Sequence, residues 1–514
     1  MESFRTTHPE LVTGSFDNPD TELAYLDSLV DDTQGRINEL HQFLVRLHRR
    51  RNQIKSRIYT LPPEVLSRTF LFVCFPGGTG RGIGREEDGW ERFGLVDRSS
   101  ITLSSVSSQW RQVALGTSEL WASITLVIVK RDNISTYASL LRLYLARSQI
   151  RDISLDIMFN GSYFDLPSNL IVPITRILFS SKTLDRILTL RVQNPPEQWM
   201  PLISKLTRVE TLCLTYPMSI SRGDSTLDLH IQPLRRLHLV GSQWASADLP
   251  KSLQYLSLET TYPNFELGLL RQCPNLIECH ARNQIPWQGF TNASVDVPLA
   301  FDHLSSFTWS LHAGINDGSA SRNLFLPALR HLHLVAPESA SGKPVIDFIH
   351  KHSKMLISLN IEQFIEWSSR EYADLFQCDM PCLCSITVNA PFADLVSCME
   401  ALMQKSGARG DFPDSENVVV PMLSSLRLSE ANPEDEDYTG GIDKLASVLL
   451  EMLRTRRAGE VSRFEVDVPE LDADFQEDLW PLEVQKDLKG YISEHRVRLT
   501  QDSNIPYFLD GSGK

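Results

Sequence analysis

The sequence predicts an α/β protein in which a long helix and a group of short helices precede a parallel β-sheet. Three observations support this fold class. Apolar residues recur at alternating spacings of three and four in the first part of the chain, two shorter helical patterns follow, and a six-residue phrase, L-x-x-L-x-L, then recurs between helical segments. A 3-4 spacing marks one face of a helix, whereas short strand-like phrases that alternate with helices favour a parallel sheet.

Length and charge limit the class of protein. The chain has 514 residues, which exceeds the roughly 250 to 300 at which a single hydrophobic core stops growing, so we expect more than one domain. Hydrophobic residues make up 42% and charged residues 22%, as in ordinary globular proteins. The formal net charge of -14 gives no attraction to phosphate, so neither nucleic acid nor a membrane surface is an expected partner.

The N-terminal segment and the cysteines indicate a cellular compartment. Residues 1–20 are polar and lack the apolar centre of a signal peptide, so we expect a disordered N-terminus. No stretch approaches the roughly 18 consecutive apolar residues of a membrane span. Eight cysteines are thinly spread over the chain, which favours a reducing compartment. The expected location is therefore the cytoplasm or the nucleus.

Residues 21–58 carry a heptad pattern that predicts a coiled-coil helix. A sustained pattern of this kind buries its apolar stripe against a second helix, so self-association is one interpretation; a long helix folded back on its own chain is the other. Gly35 and two polar stripe positions weaken the pattern. The stripe consists of Leu23, Leu26, Val30, Thr33, Ile37, Leu40, Leu44, Leu47, Arg51, Ile54 and Ile58.

Two helical patterns occupy most of residues 59–126. The first starts at a pair of prolines, which the first turn of a helix tolerates, and its apolar face contains Val65, Leu66, Phe70 and Val73. A glycine-rich stretch, 77–84, predicts a loop that extends to about residue 100. The second pattern predicts one helix over 101–115 that ends at Gly116, and a strand over 124–129 follows.

The spaced motifs of this region resemble an F-box of the type common in large fungal protein families. They are Leu61-Pro62-x-Glu64-Val65-Leu66, a variable loop, Leu103-x-x-Val106-Ser107-Ser108-Gln109-Trp110 and Leu120-Trp121. Two features depart from the family pattern: Ser107 stands where cysteine is usual, and the glycine-rich stretch lengthens the loop. Neither departure removes an apolar anchor.

The resemblance implies a small helical module that binds the Skp adaptor of a cullin ubiquitin ligase. Docking of this kind needs apolar anchors at helical spacing. The alternative is a helical hairpin that keeps Trp110 and Trp121 in its own core. The expected adaptor-binding residues are Leu61, Pro62, Pro63, Glu64, Val65, Leu66, Phe70, Leu103, Val106, Trp110, Leu120 and Trp121.

Residues 127–470 contain the recurring phrase, mostly at intervals of about 19 to 28 residues. This period resembles that of leucine-rich repeats, in which each unit forms one strand and stacking of units buries a shared core. The asparagine that normally follows the strand is mostly absent, so we expect an irregular, leucine-rich-repeat-like solenoid. The phrases begin at Val209, Leu234, Leu253, Leu276, Leu304, Leu329, Leu356, Leu383 and Leu423. Helices are predicted over 131–148, 265–273, 345–353, 392–405 and 442–457.

Residues 471–514 predict an acidic C-terminal tail, and no catalytic or cofactor motif accompanies the repeats. The glycine-rich stretch fits no phosphate-binding motif, and the cysteines lack zinc-ligand spacing. We therefore expect no enzyme activity, metal or cofactor. The leading hypothesis is a substrate-recognition subunit of a Skp–cullin–F-box ubiquitin ligase, with an unknown target protein bound by the repeats. The alternative is an interaction scaffold that uses the coiled coil and repeats without a ligase.

Overall fold

The computed structural model describes 18–75, 99–128, 133–159, 168–216, 226–241, 246–260, 270–283, 298–310, 323–336, 342–363, 367–377, 380–390, 392–403, 423, 425–430, 447–448, 450–451, 464–467 and 497–500. These residues divide into two compact units, one formed by 18–75 with 99–120 and one that begins at 121. Among the described helices, none combines the length and the apolar character needed to cross a membrane.

The first unit is helical and begins with the predicted long helix. Asn18 accepts a hydrogen bond from the backbone N–H of Asp20, which caps the first turn, and the helix continues through Gly35 for 37 residues. A 3-10 turn over Arg57–Thr60 connects it to the next helix. The helices of this unit are α1 Pro19–Lys55, α2 Pro63–Cys74, α3 Ser99–Val106 and α4 Ser108–Gly116.

The second helical pattern forms two helices rather than the predicted one. Ser107 has extended backbone angles, φ -156° and ψ 167°, and its hydroxyl accepts a hydrogen bond from the N–H of Trp110 at 3.2 Å. A serine in this role begins a new helix instead of continuing the old one. The prediction of a single helix over 101–115 was therefore wrong, although the predicted end at Gly116 is confirmed.

The second unit alternates strands and helices. Its described helices are α5 Ile134–Arg147, α6 Ser168–Leu178, α7 Ser181–Leu184, α8 Met200–Ile203, α9 Gly342–His352, α10 Ser369–Phe376 and α11 Phe392–Met403. The strands are β1 Ser123–Ile128, β2 Ile153–Phe159, β3 Ile187–Gln193, β4 Thr211–Thr215, β5 Thr226–Asp228, β6 Arg236–Val240, β7 Ser246–Asp248, β8 Tyr255–Thr260, β9 Glu278–Asn283, β10 Leu299–Ala300, β11 Ser306–Ser310, β12 Leu324–Phe325, β13 His331–Ala336, β14 Ser358–Gln363, β15 Ser385–Ala390, β16 Ser425–Glu430, β17 Phe464–Asp467 and β18 Val497–Thr500.

Twelve strands form one sheet in the order β1-β2-β3-β4-β6-β8-β9-β11-β13-β14-β15-β16. Every neighbouring pair is parallel, and each strand lies beside the next main-sheet strand along the chain. All nine phrases form strands of this sheet, which confirms the predicted parallel sheet. Three parallel strand pairs lie outside it: β5 with β7, β10 with β12, and β17 with β18.

One face of the sheet is the core of the second unit. The register places the apolar residues of each phrase beside those of the neighbouring phrases. Leu237, for example, lies beside Leu212 and Leu256. These three side chains are fully buried. Helix α11 packs against β15 and β16, and α10 packs against both α9 and α11. Residues two apart in a strand point to the same face, so the last two apolar positions of a phrase, such as Leu237 and Leu239, both belong to this core.

Three predicted helices agree with the structure, and two fall largely outside the described residues. The predictions over 131–148, 345–353 and 392–405 correspond to α5, α9 and α11 within the described ranges. Those over 265–273 and 442–457 lie mostly outside them, as do 1–17 and the glycine-rich stretch. Within the segment predicted as a tail, β18 pairs with β17. Strand β1 occupies the end of the region assigned to the F-box.

Candidate functional site

Helix α2 has one face that belongs to the core of the first unit. Leu66 and Phe70 are each 1% exposed, and they lie one helical turn apart. The ring of Phe70 lies 4.9 Å from that of Trp110 on α4. Val113, Ala114 and Leu120 are also buried. Since α2 packs against both α3 and α4, the two motif halves that the loop separates in sequence meet in the structure.

Hydrogen bonds fix the orientation of the start of α2. The hydroxyls of Ser67 and Thr117 lie 2.8 Å apart, which joins α2 to the end of α4. The side-chain N–H of Gln109 donates to the carbonyl of Tyr59 at 3.5 Å, which ties the 3-10 turn to α4. The guanidinium of Arg111 donates to the carbonyl of Ser104 at 3.0 Å. The first two contacts fix α2 and the turn before it against α4, and the third joins α4 to α3.

A second face of α2 leaves large apolar side chains exposed. Val65 is 44% exposed and Phe72 69%. Their spacing of seven residues places them on one helix face, and Leu61, 36% exposed, precedes it. We call Leu61, Val65 and Phe72 the α2 apolar strip. Val73, 57% exposed, lies seven residues after Leu66 and therefore on the side of the buried face. Phe72 was not among the predicted adaptor-binding residues, although its position seven residues after Val65 could have identified it.

The remaining predicted site residues have different environments. Pro62, Pro63 and Glu64 are exposed, as is Val106 at the end of α3, whereas Leu103 and Trp110 are half-buried. Trp121 lies within the second unit and is fully buried there. Its ring makes an edge contact with Tyr144 at 5.2 Å, and the guanidinium of Arg147 lies 4.3 Å from the ring centroid. This tryptophan is part of the internal packing of the second unit.

The second candidate surface is the face of the large sheet opposite its apolar core. One residue from each of the twelve strands lies in register on this face, and we call this set the polar row. It consists of Thr125, Asp156, Arg191, Cys213, His238, Ser257, His280, Thr308, His333, Asn360, Thr387 and Arg427. Ser257 and Thr308 are buried among longer neighbours. In the nine strands that carry the phrase, the row residue is the x between the last two apolar positions, which points to the opposite face of the strand.

Paired side chains occupy the centre of this face. Nδ1 of His280 lies 2.7 Å from the hydroxyl of Thr308. Glu362 lies on β14, and its carboxylate is 3.0 Å from Nε2 of His333 and 3.8 Å from the guanidinium of Arg282. Burial alone would raise the pKa of Glu362, but the hydrogen bond from His333 and the charges of His333 and Arg282 outweigh it and lower the pKa. This face therefore presents an ordered set of donors and acceptors.

Asp156 lies near the other end of the polar row. Burial raises the pKa of this carboxyl from 3.8 to about 6, and the charge of neighbouring Arg191 opposes the rise only in part. Ionised Asp156 is therefore costly to the fold at neutral pH. A partner that supplies a positive charge or a hydrogen-bond donor would reduce this cost, as expected for a polar contact surface.

A histidine and two aspartates lie together in the small sheet of β5 and β7. Nε2 of His230 is 3.2 Å from Asp228 and 3.6 Å from Asp248. One ligand atom from each of the three side chains lies within 4.8 Å of the others, a distance compatible with a metal ion. All three side chains are exposed, however, and ion pairing of the histidine explains the arrangement without a ligand. Sequence spacing did not predict this cluster, because Asp228 lies on β5, Asp248 lies on β7 and His230 follows β5.

Both candidate surfaces are suited to noncovalent contacts with another protein. The α2 apolar strip can lose water against an apolar groove, and the polar row can donate and accept hydrogen bonds. The comparison with models of known protein families finds no match, and neither does the comparison with curated protein sequences.

Proposed function

We propose that the chain is a non-catalytic substrate-recognition subunit of a Skp–cullin–F-box ubiquitin ligase. In this proposal the helical unit is an F-box that binds the Skp adaptor, and the strand–helix unit is an irregular leucine-rich-repeat-like solenoid that binds a target protein. Catalysis is supplied by other subunits of the complex. The observation that supports the proposal most directly is the division of the F-box-like motif into a buried half and an exposed half.

This division is what an adaptor-binding helix requires. A short helical unit needs one apolar face for its own core, which Leu66 and Phe70 supply. A second apolar face has no role within such a unit, yet α2 carries one. Full burial of one large apolar side chain contributes roughly 1.5 to 3 kcal/mol, so the α2 apolar strip offers several kcal/mol to a partner with a matching groove. Exposed apolar patches of this kind mark protein–protein contacts.

The predicted site residues therefore take two roles in the proposal. Leu61, Pro62, Val65 and Val106 contact the adaptor directly, and Phe72 joins them. Leu66 and Phe70 bury the other face of α2 within the unit, where Trp110 contacts Phe70, and Leu120 is buried as well. Ser107 replaces the usual cysteine without loss, because its hydroxyl caps α4.

The target is proposed to bind the polar row. In-register parallel strands, one for each phrase, are what a stack of repeat units produces. The apolar residues of these strands are buried in the core, so the residues of the opposite face, including the polar row, are the ones that can contact a target. Arg282, Glu362 and His333 are already held by one another, and a preorganised polar group loses little entropy on binding.

The test is adaptor binding by the full chain with substitutions of exposed residues. Val65→Asp/Phe72→Asp should leave the fold intact, because both side chains are exposed, and should weaken adaptor binding at least about 100-fold, since two anchors of roughly 1.5 kcal/mol or more are lost. The matched control is Phe325→Asp, an equivalent change at a 48% exposed phenylalanine of the second unit, which should bind normally.

Binding is measured with purified Skp adaptor by surface plasmon resonance, and folding by circular dichroism. Failure of the wild-type chain to bind adaptor would refute the ligase proposal and favour an interaction scaffold. Equal binding by the double variant and the control would refute the assignment of the α2 apolar strip.

A further inference from the structure

Helix α1 carries its apolar heptad stripe on the surface. The helix is 37 residues long, about 55 Å at 1.5 Å per residue. Most large apolar residues of the stripe are exposed. An apolar stripe stabilises a helix only when it is buried against a partner, so these residues contribute no hydrophobic stabilisation in the single chain. The exposed fractions are Leu23 59%, Val30 64%, Ile37 40%, Leu40 66%, Leu44 48%, Leu47 49% and Ile54 71%. No other described part of the chain therefore covers the stripe.

The charges of α1 are separated along its length. The first half, 19–34, has five acidic residues and no lysine or arginine: Asp20, Glu22, Asp27, Asp31 and Asp32. From 35 to 57 Glu39 is the single acidic residue, and the basic residues are Arg36, Arg46, Arg49, Arg50, Arg51, Lys55 and Arg57. The helix is therefore acidic at one end, basic at the other and apolar along one side. Its best electrostatic complement is a helix of the same kind in the opposite direction.

We propose that α1 pairs with α1 of a second copy of this chain as an antiparallel coiled coil. In an antiparallel pair, each a position of the heptad packs against a d position of the partner helix. Centring the pair between Ile37 and Leu40 places Ile37 against Leu40 of the second copy and Val30 against Leu47. The same register places Leu23 against Ile54. Three of the five layers on each side of the centre are thus formed by large apolar pairs, and the other two place Leu44 against Thr33 and Leu26 against Arg51. The large apolar residues of the exposed stripe become buried.

The residues that flank the stripe distinguish the two directions. In the antiparallel pair, Asp20 faces Lys55 of the second copy, and Asp27 faces His48. In a parallel, in-register pair, Glu22 would face Asp27 of the second copy, and Arg50 would face Lys55. Opposite charges at flanking positions favour a pairing, whereas like charges oppose it. The antiparallel direction removes both like-charge contacts and places Asp20 against the opposite charge of Lys55.

The first experiment measures the mass of the full chain by sedimentation velocity at tens of micromolar. The wild-type chain should sediment as a dimer of its 58.2 kDa subunit. Leu40→Asp should be monomeric without loss of fold, because Leu40 is already 66% exposed in the single chain. The matched control is Gln42→Asp, which places the same residue on the outer face of the same helical turn and should remain dimeric. A monomeric wild-type chain would overturn the proposal.

The second experiment determines direction by charge reversal. Lys55→Glu should weaken the antiparallel dimer about fivefold or more, because two symmetry-related contacts with Asp20 become repulsive. Adding Asp20→Lys should restore affinity. In a parallel dimer Lys55→Glu would instead tighten the complex, since the residue would face Arg50, and that outcome would overturn the antiparallel assignment.

Cross-linking gives an independent measure of direction. A Leu23→Cys chain is mixed with an Ile54→Cys chain, the mixture is oxidised, and the linked peptides are identified by mass spectrometry. The proposal predicts disulfides between 23 and 54 of different chains. Disulfides of 23 with 23 and of 54 with 54 would overturn it. None of the three experiments involves the adaptor, so their outcomes are independent of the proposed ligase role.

Discussion

The substitution Asp156→Asn is expected to stabilise the second unit at neutral and alkaline pH. Asp156 lies on β2, half-buried beside Arg191, and burial raises its pKa from 3.8 to about 6. For an acid whose pKa is higher in the folded state, the folded protein binds the proton more tightly, so stability falls as pH rises from 3.8 to 6 and stays low above 6. Asp156→Asn removes the charge and with it this dependence.

The magnitude follows from the two pKa values. A pKa difference of one corresponds to about 1.4 kcal/mol, so ionised Asp156 costs up to about 3 kcal/mol at pH 8. The same linkage gives about half of that cost at pH 5 and less than about 1 kcal/mol at pH 4. The pKa of about 6 already includes the opposing charge of Arg191, so we expect Asp156→Asn to raise the free energy of unfolding by about 1 to 3 kcal/mol at pH 8.

The assay is urea unfolding followed by circular dichroism at pH 5 and pH 8. The control is Asp152→Asn, which removes an exposed carboxylate 3.3 Å from Arg208 and should change stability by less than about 1 kcal/mol at either pH. A loss of stability in Asp156→Asn at pH 8 would refute the reasoning, as would a gain of the same size at both pH values.

Substitutions at two further positions, one in each unit, test the local structure and packing. Ser107→Ala should lower the free energy of unfolding of the first unit by about 1 kcal/mol, because the cap on the N–H of Trp110 is lost, whereas Ser107→Asp should retain it; chemical denaturation that shows no difference between the two would contradict the capping role. Trp121→Ala should destabilise the second unit by about 3 to 5 kcal/mol through the cavity left beside Tyr144, with a smaller loss in Trp121→Phe. A loss below about 1 kcal/mol in thermal unfolding of Trp121→Ala would contradict that assignment.

The parallel sheet was predictable because its strands repeat one local pattern. In each phrase the residues at Leu237 and Leu239, or at their equivalents, point to one face, and the spacing alone specifies strand, face and partner. The pairs inside the polar row were not predictable. His333 lies directly opposite Asn360, so its contact with Glu362 is diagonal and depends on the side-chain conformations of both residues, which the spacing of the leucines does not specify.

The helical region was predicted less completely, for a different reason. The 3.6-residue period identifies the apolar residues of α2 but not which of them face inward. The sequence pattern therefore does not show that Leu66 is buried and Val65 exposed. Only packing against α3 and α4 separates them. The break at Ser107 is also a decision between two local states, since serine can continue a helix or cap the next one.

Exposed apolar side chains are concentrated in the first unit, which makes it the described part of the chain with the most apolar surface available to partners. Of the large hydrophobic side chains that are exposed among the described residues, sixteen of twenty-one lie in the first unit, although the second unit is much larger. In the parallel sheet, the apolar residues of neighbouring strands lie side by side and are buried in one shared core. Helix α2 buries one face against α3 and α4, but the described residues leave its apolar strip and the stripe of α1 exposed. These two exposed surfaces lie on different helices and differ in spacing. Two separate partners, one helical and antiparallel and one with an apolar groove, therefore account for this surface better than a single partner.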